Sequence, residues 1–243
     1  MVENAAHACN VPATERSLVD QQTAASLTDL QEKFHCVRAE TTRLAQPLSD
    51  ADATVQSMED TSPAKWHLAH TTWFFETFIL APNISGYEHF DARYNYLFNS
   101  YYETIGERHP RPQRGCLTRP SLDEVLAYRA YVDRAIAQLP SSSFGSDLRS
   151  LLELGLHHEQ QHQELFLTDI LHLFAQNPLY PAYCHPQPLA VGSDAGDGGW
   201  IGFDGGVNWI GADDTGFAFD CELPRHEVLL RPFEIAARSV TNG

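Results

Sequence analysis

The chain has 243 residues, 43% hydrophobic, 11% aromatic and 20% charged, which supports one or two domains with real cores and is unlike a disordered tail. Sixteen Lys and Arg against thirty-two Asp and Glu leave a formal net charge of −16, with lysine only at Lys33 and Lys65. That balance excludes both a phosphate-neutralising footprint for nucleic acid and a polybasic patch for anionic lipid.

Residues 1–17 have neither a cationic stretch nor an apolar run, so no secretory leader is read. The longest apolar window, residues 73–81, is interrupted by Glu76 and is far shorter than the ~20 residues of a membrane span. A soluble, cytoplasmic protein is expected, with no nucleic-acid or membrane partner. Cys9, Cys36, Cys116, Cys184 and Cys221 are odd in number and scattered, with no C-x-x-C among them, which points to reduced thiols.

In chain order, residues 1–20 read as a flexible tail. Leu27, Leu30, Phe34, Val37, Thr41 and Leu44 then step by three or four, as one face of a first helix does. Ser62-Pro63 predicts an N-cap and first helical residue for a second helix carrying Trp66, His70, Trp73 and Thr77 on one stripe. Ser121 with Glu124 forms a capping box for a third, with Leu122, Val125, Val132, Ile136 and Leu139 inward. The fourth is expected from about Asp147 to Phe174, ending at Asn177-Pro178. Four such helices suggest an up-and-down bundle over residues 21–177. The aromatic and arginine-rich connection at 82–120 is long enough to predict a functional loop. Prolines crowd residues 178–190, a linker, and ten of the fifteen glycines lie from Gly192 on. There, apolar runs at 207–210, 228–230 and 233–236 predict short strands of a second domain over 191–243.

Histidine, twelve times present, carries the chemistry. In LGLHHEQQHQEL, His158 and His162 lie four apart, on one helical face with Leu151, Gly155, Leu165 and Asp169, and can reach one metal ion. In WHLAH, His70 lies on the apolar stripe while His67 is rotated off it, which makes His70 the candidate third ligand; the competing readings are a satisfied core histidine at 70 and an ordinary polar face for the i, i+4 pair. His67, His157 and His172 read as structural or as supports behind the ligands. A rival reading is H-E-x-x-H over His158 to His162, the zinc-protease motif with Glu159 as general base. Its continuation fails: Leu165 and Thr168 stand where Gly and His would be needed, and no Glu occurs between Glu164 and Glu222.

Read together, SPAKWHLAHTTWFFETFIL, LFNSYYETIG, HPRPQRG, LTRPSLDEVLAYRAYVD and LGLHHEQQHQELFLTDILH resemble the DinB-like bundle of the ergothioneine-biosynthesis sulfoxide synthases, or hercynine oxygenases. GGVNWIGADDTGFAFDCELPRHEVLLRPFEIAARSVTNG is similar to the opening of their sulfatase-modifying-factor-like domain. The resemblance implies an α+β fold class: an N-terminal DinB-like four-helix bundle, then the beginning of a glycine-rich, short-stranded, C-type-lectin-like domain. It also implies Fe(2+) as cofactor, held by His70, His158 and His162. Hercynine, cysteine or γ-glutamylcysteine, and O2 would be the substrates, and a sulfoxide the product. Arg111 and Arg114 match the arginines that hold the thiol substrate's carboxylate, and Gln161 matches a hercynine contact.

The family's second domain is longer than the segment C-terminal to the linker here, so the chain is expected to be truncated and inactive by itself. No catalytic residue is placed within it, because the proton-donating tyrosine is expected in the missing C-terminal part. Cys221 stands where the family has Asn. The alternatives are a selenium-handling relative (selenoneine synthase), a stand-alone DinB-like metal-dependent thiol transferase, and a bundle that only scaffolds a partner. Spacing alone suits zinc as well as iron.

Overall fold

The computed structural model describes residues 13–100, 106–140, 145–184, 198–213 and 215–240, with side chains of the first helix from Asp29 onward. The chain divides into two units, Met1–His185 and Pro186–Gly243. The boundary falls inside the proline-rich stretch. No helix among the described residues is long and apolar enough to cross a membrane.

The first unit contains α1 (Ala13–Ala45), α2 (Asp50–Thr54), α3 (Ala64–Phe74), α4 (Ala81–Asn83), α5 (Tyr94–Phe98), α6 (Leu122–Ala137) and α7 (Ser146–Ala175). A π-helical segment, Phe75–Leu80, joins α3 to α4, so the second long helix runs from Ala64 to Asn83. α1 begins at Ala13, inside the stretch read as a tail. α7 packs on α1 and α3, and α6 packs on α3, giving the four-helix arrangement. Ser121 caps α6 as expected: its Oγ accepts from Glu124 N while the Glu124 carboxylate accepts from Ser121 N. Ser62 does not cap α3. That helix starts one residue later, with Pro63 at its N-cap and no side-chain cap, and Ser62 instead bonds Asp169 and Arg114.

On α1, from Asp29 onward, the expected face holds: Phe34, Thr41 and Leu44 are buried and Leu30 and Val37 pack against the core, joined by buried Arg38 and Ala45. The α7 stripe differs from its expected position. On α7 the buried line is Leu148, Leu152, Gly155, Leu156, Glu159, Phe166 and Ile170. The line containing His158 and His162 flanks it, and Leu165 on that line is 46% exposed. The reason is a charge cluster that occupies the centre. Glu159 accepts from Arg38 Nη1 (2.9 Å), Thr41 Oγ1 (2.6 Å) and Arg129 Nη2 (2.8 Å), while Arg38 also reaches Asp133 (2.7 Å) and Thr72 (3.0 Å). A buried charge is tolerable when its partners satisfy it, and this cluster ties α1, α3, α6 and α7 together. Gly155 lets α7 approach the second long helix: a Cβ there would lie 2.6 Å from the Phe75 ring and 2.9 Å from that of Phe74.

The second unit holds β1 (Trp200–Phe203), β2 (Gly206–Ile210), β3 (His226–Leu230) and β4 (Phe233–Ala236). β1 pairs antiparallel with β4 (Phe203 opposite Phe233), and β2 with β3 (Gly206 opposite Leu230). The two pairs form successive halves of one ribbon, broken at Asp204-Gly205 and at Arg231-Pro232. Gly205 has φ +78°, and a Cβ there would strike the Leu230 carbonyl at 2.6 Å, so this break requires glycine. The three expected strands are present and β1 is additional. Together the units make a mixed α+β chain: a helical domain, then a few short antiparallel strands.

Candidate metal centre

α3 and α7 lie side by side, so their inward histidines meet. Among the described residues, one ligand atom from each of His70, His158 and His162 lies within 4.8 Å of the other two. A cation at ~2.0–2.1 Å from each nitrogen spans such a set after a small contraction. His70 Nδ1 donates to the Phe98 carbonyl at 2.6 Å, which leaves Nε2 as a lone pair, 3.3 Å from His158 Nε2. His162 Nδ1 lies 2.9 Å from His67 Nδ1, and His67 Nε2 lies 3.0 Å from Asp169 Oδ2. Among the described residues, His158 Nδ1, which is buried, has no hydrogen-bond partner.

Burial favours the neutral form of all three rings. It pushes His158 down to about 4. His70 and His162 lie well below the ordinary imidazole range, by burial first and by mutual repulsion with neighbouring histidines second. Neutral imidazole is the form that coordinates metal. Convergent lone pairs and proton-poor rings therefore fit a divalent cation.

α5 holds the His70 side of the site. Trp66 stacks on His70 (4.6 Å between centroids, 10° between planes) and Trp73 stacks on its other side (5.7 Å, 19°). Trp66 Nε1 donates to the Leu97 carbonyl at 3.1 Å, and Trp73 Nε1 to Asn95 Oδ1 at 2.9 Å. One short helix thus aligns two tryptophans and a histidine.

The arginines arrive from the long connection. Arg111–Cys116 is a 3₁₀ turn, in which residues three apart eclipse, so Arg111 and Arg114 project to the same side. Gln56 pins this turn: it donates to the Arg111 carbonyl (3.0 Å) and accepts from Gly115 N (2.7 Å). The Arg111 guanidinium donates to the Asp60 carbonyl. Arg114 is buried, lies 3.4 Å over the Trp66 ring and donates to Ser62 Oγ at 2.8 Å. A cavity of about 480 Å³ is lined by Trp66, His67, His70, Ser62, Ser100, Arg111, Arg114, His158, Gln161, His162 and Leu165. Every site residue named from the sequence borders this space.

Glu159 is not a general base here. Its side chain is fully buried, its oxygens are engaged by Arg38, Thr41 and Arg129, and these override the upward push of burial to hold it at about 2. His172 is structural, with Nδ1 2.8 Å from Ser57 Oγ. His67 lies behind His162, with its Nδ1 2.9 Å from His162 Nδ1. Sequence reasoning misses Asp169 and Ser62 in their roles, although Asp169 lies two turns after His162 and is on the same face by spacing alone.

No curated protein matches the chain. Residues 33–166 match the DinB superfamily, a span that contains His70, His158, His162 and the arginine turn. Because the match covers more than half of the sequence and includes the three-histidine cluster, the chain belongs to the DinB superfamily.

Proposed function

We propose that this chain carries the metal-binding bundle of a non-haem iron(II), O2-dependent sulfoxide synthase that joins a cysteine-type thiol sulfur to the imidazole C2 of hercynine. The observation that supports it is the convergence of His70, His158, His162, Arg111, Arg114 and Gln161 on one cavity. Three imidazoles leave other coordination positions open, and iron(II) bound there would supply redox chemistry with O2 and a seat for a thiolate.

The chain's own residues bind and orient. Arg111 and Arg114 present eclipsed planar forks, suited to the carboxylate of an amino-acid thiol. The Trp66 face under Arg114 keeps that guanidinium in one plane. Gln161, one residue before His162, supplies an amide that can donate or accept at the hercynine imidazole. Leu165 gives this rim an apolar edge. None of these groups is assigned a proton transfer. In this reading β1 to β4 open a sulfatase-modifying-factor-like domain.

A zinc-dependent thiol transferase of DinB type is the second reading, since the three-histidine donor set suits zinc as well as iron. Cobalt(II) substitution separates the two. On the first reading one cobalt binds per chain, cysteine or γ-glutamylcysteine adds a thiolate charge-transfer band, and hercynine then perturbs that band, less so in Gln161→Ala. A thiol-dependent band that is indifferent to hercynine would favour the transferase, and absence of cobalt binding would overturn both.

A further inference from the structure

We propose that His67 and Asp169 are positioning residues for His162, forming a carboxylate–imidazole relay that fixes which of its ring nitrogens faces the metal. The proposal rests on the three-histidine metal reading.

Asp169 Oδ2 accepts from Ser62 N at 2.8 Å and lies 3.0 Å from His67 Nε2. An ionised carboxylate only accepts, so His67 Nε2 bears a proton. A neutral imidazole protonated at Nε2 has a bare Nδ1, and at 2.9 Å the facing His162 Nδ1 donates to it. His162 Nε2 is then the lone pair. With the order reversed, Nε2 would carry the proton and could not coordinate.

The three ligands are thus held differently. His70 is backed by the Phe98 carbonyl, His162 by an imidazole that is itself backed by a carboxylate, and His158 Nδ1 by no partner among the described residues. A partner that accepts a ligand's proton raises the basicity of its other nitrogen and fixes the ring. The relay also reaches the arginine turn: Ser62, whose backbone holds Asp169, accepts from Arg114 through Oγ.

The experiment is zinc titration of the full chain against a competing chelator. His67→Phe, which keeps a ring but has no acceptor, should weaken zinc binding ~10–100-fold, as loss of an outer-sphere partner does. His67→Asn places an amide oxygen where Nδ1 was and should recover most of that loss. Asp169→Asn can turn an N–H toward His67 and reverse the proton order, costing ~10-fold. In the zinc-loaded unsubstituted chain, ¹⁵N-histidine NMR should show a His162 Nδ1 proton scalar-coupled to His67 Nδ1, which decides the matter even if His67→Phe fails to fold. Wild-type affinity in folded His67→Phe and Asp169→Asn, or no such coupled proton, overturns the relay. Absence of zinc binding by the unsubstituted chain overturns the three-histidine reading itself, and is distinguished because it is read before any variant.

Discussion

The two units solve the problem of apolar surface in opposite ways. In the helical unit, Trp73, Phe75, Leu68, Ile79, Leu80, Val125 and Leu152 are all at 0% exposure. In the ribbon, Trp200, Ile201, Val207, Trp209, Leu229 and Ile235 are all exposed, and no described residue beyond Ile170 belongs to the buried hydrophobic set. Both segments are rich in large apolar side chains, so composition does not separate them. Layering does: helices covering one another enclose a core, whereas a two-stranded ribbon has no second layer and is marginal alone. The three-histidine cluster belongs to the first kind of structure.

The sharpest way to break this contrast is through the buried charge cluster. Arg38→Met leaves Glu159 and Asp133 undercompensated and should cost ~3–5 kcal/mol in urea unfolding of the helical signal. Replacing His70, His158 or His162 by Ala should reduce metal affinity by more than the ~10–100-fold of an outer-sphere change, with helical circular dichroism retained. Equal metal stoichiometry in all three variants would dismantle the triad.

Acid should act on the helical unit. Glu159 is held at about 2, below its ordinary value of 4.5. Its contribution is therefore complete above about pH 4.5 and lost as pH falls toward about 2, ~3 kcal/mol in all at ~1.4 kcal/mol per unit. The depressed histidines of the metal-free chain act in the same direction over a higher window. Urea midpoints across pH should show the lower step, and Arg38→Met should shrink it.

Gly155→Ala sharpens the packing side of the comparison. Its methyl meets two buried phenylalanine rings, so a loss of ~1–3 kcal/mol should exceed the ~1 kcal/mol gained from helix propensity. A more stable variant would show that α3 and α7 can separate without penalty. At the small end, Trp209→Ser on the exposed ribbon should shift the helical unfolding by no more than ~0.5 kcal/mol. Amide exchange in β1 to β4 should be much faster than in α3 and α7.

Much of the molecule is legible in the sequence because it is local. Helix periodicity, the Ser121–Glu124 capping box, the i, i+4 histidines, His70 on its stripe and the glycine-punctuated strands all depend on neighbours within a few residues. Arg111 and Arg114 can be named as a pair, but only the 3₁₀ turn and Gln56 explain why they face the same side. Tertiary structure decided the rest, since it concerns partners far apart in sequence. Arg38 and Arg129 reading Glu159, which moved the buried stripe of α7 by one residue, required three helices to meet. Ser62 was diverted from capping because Asp169 and Arg114 needed it. His67 meets His162 only because α3 and α7 lie side by side. Spacing along one helix chooses a face, but what that face meets is set by the packing of the others.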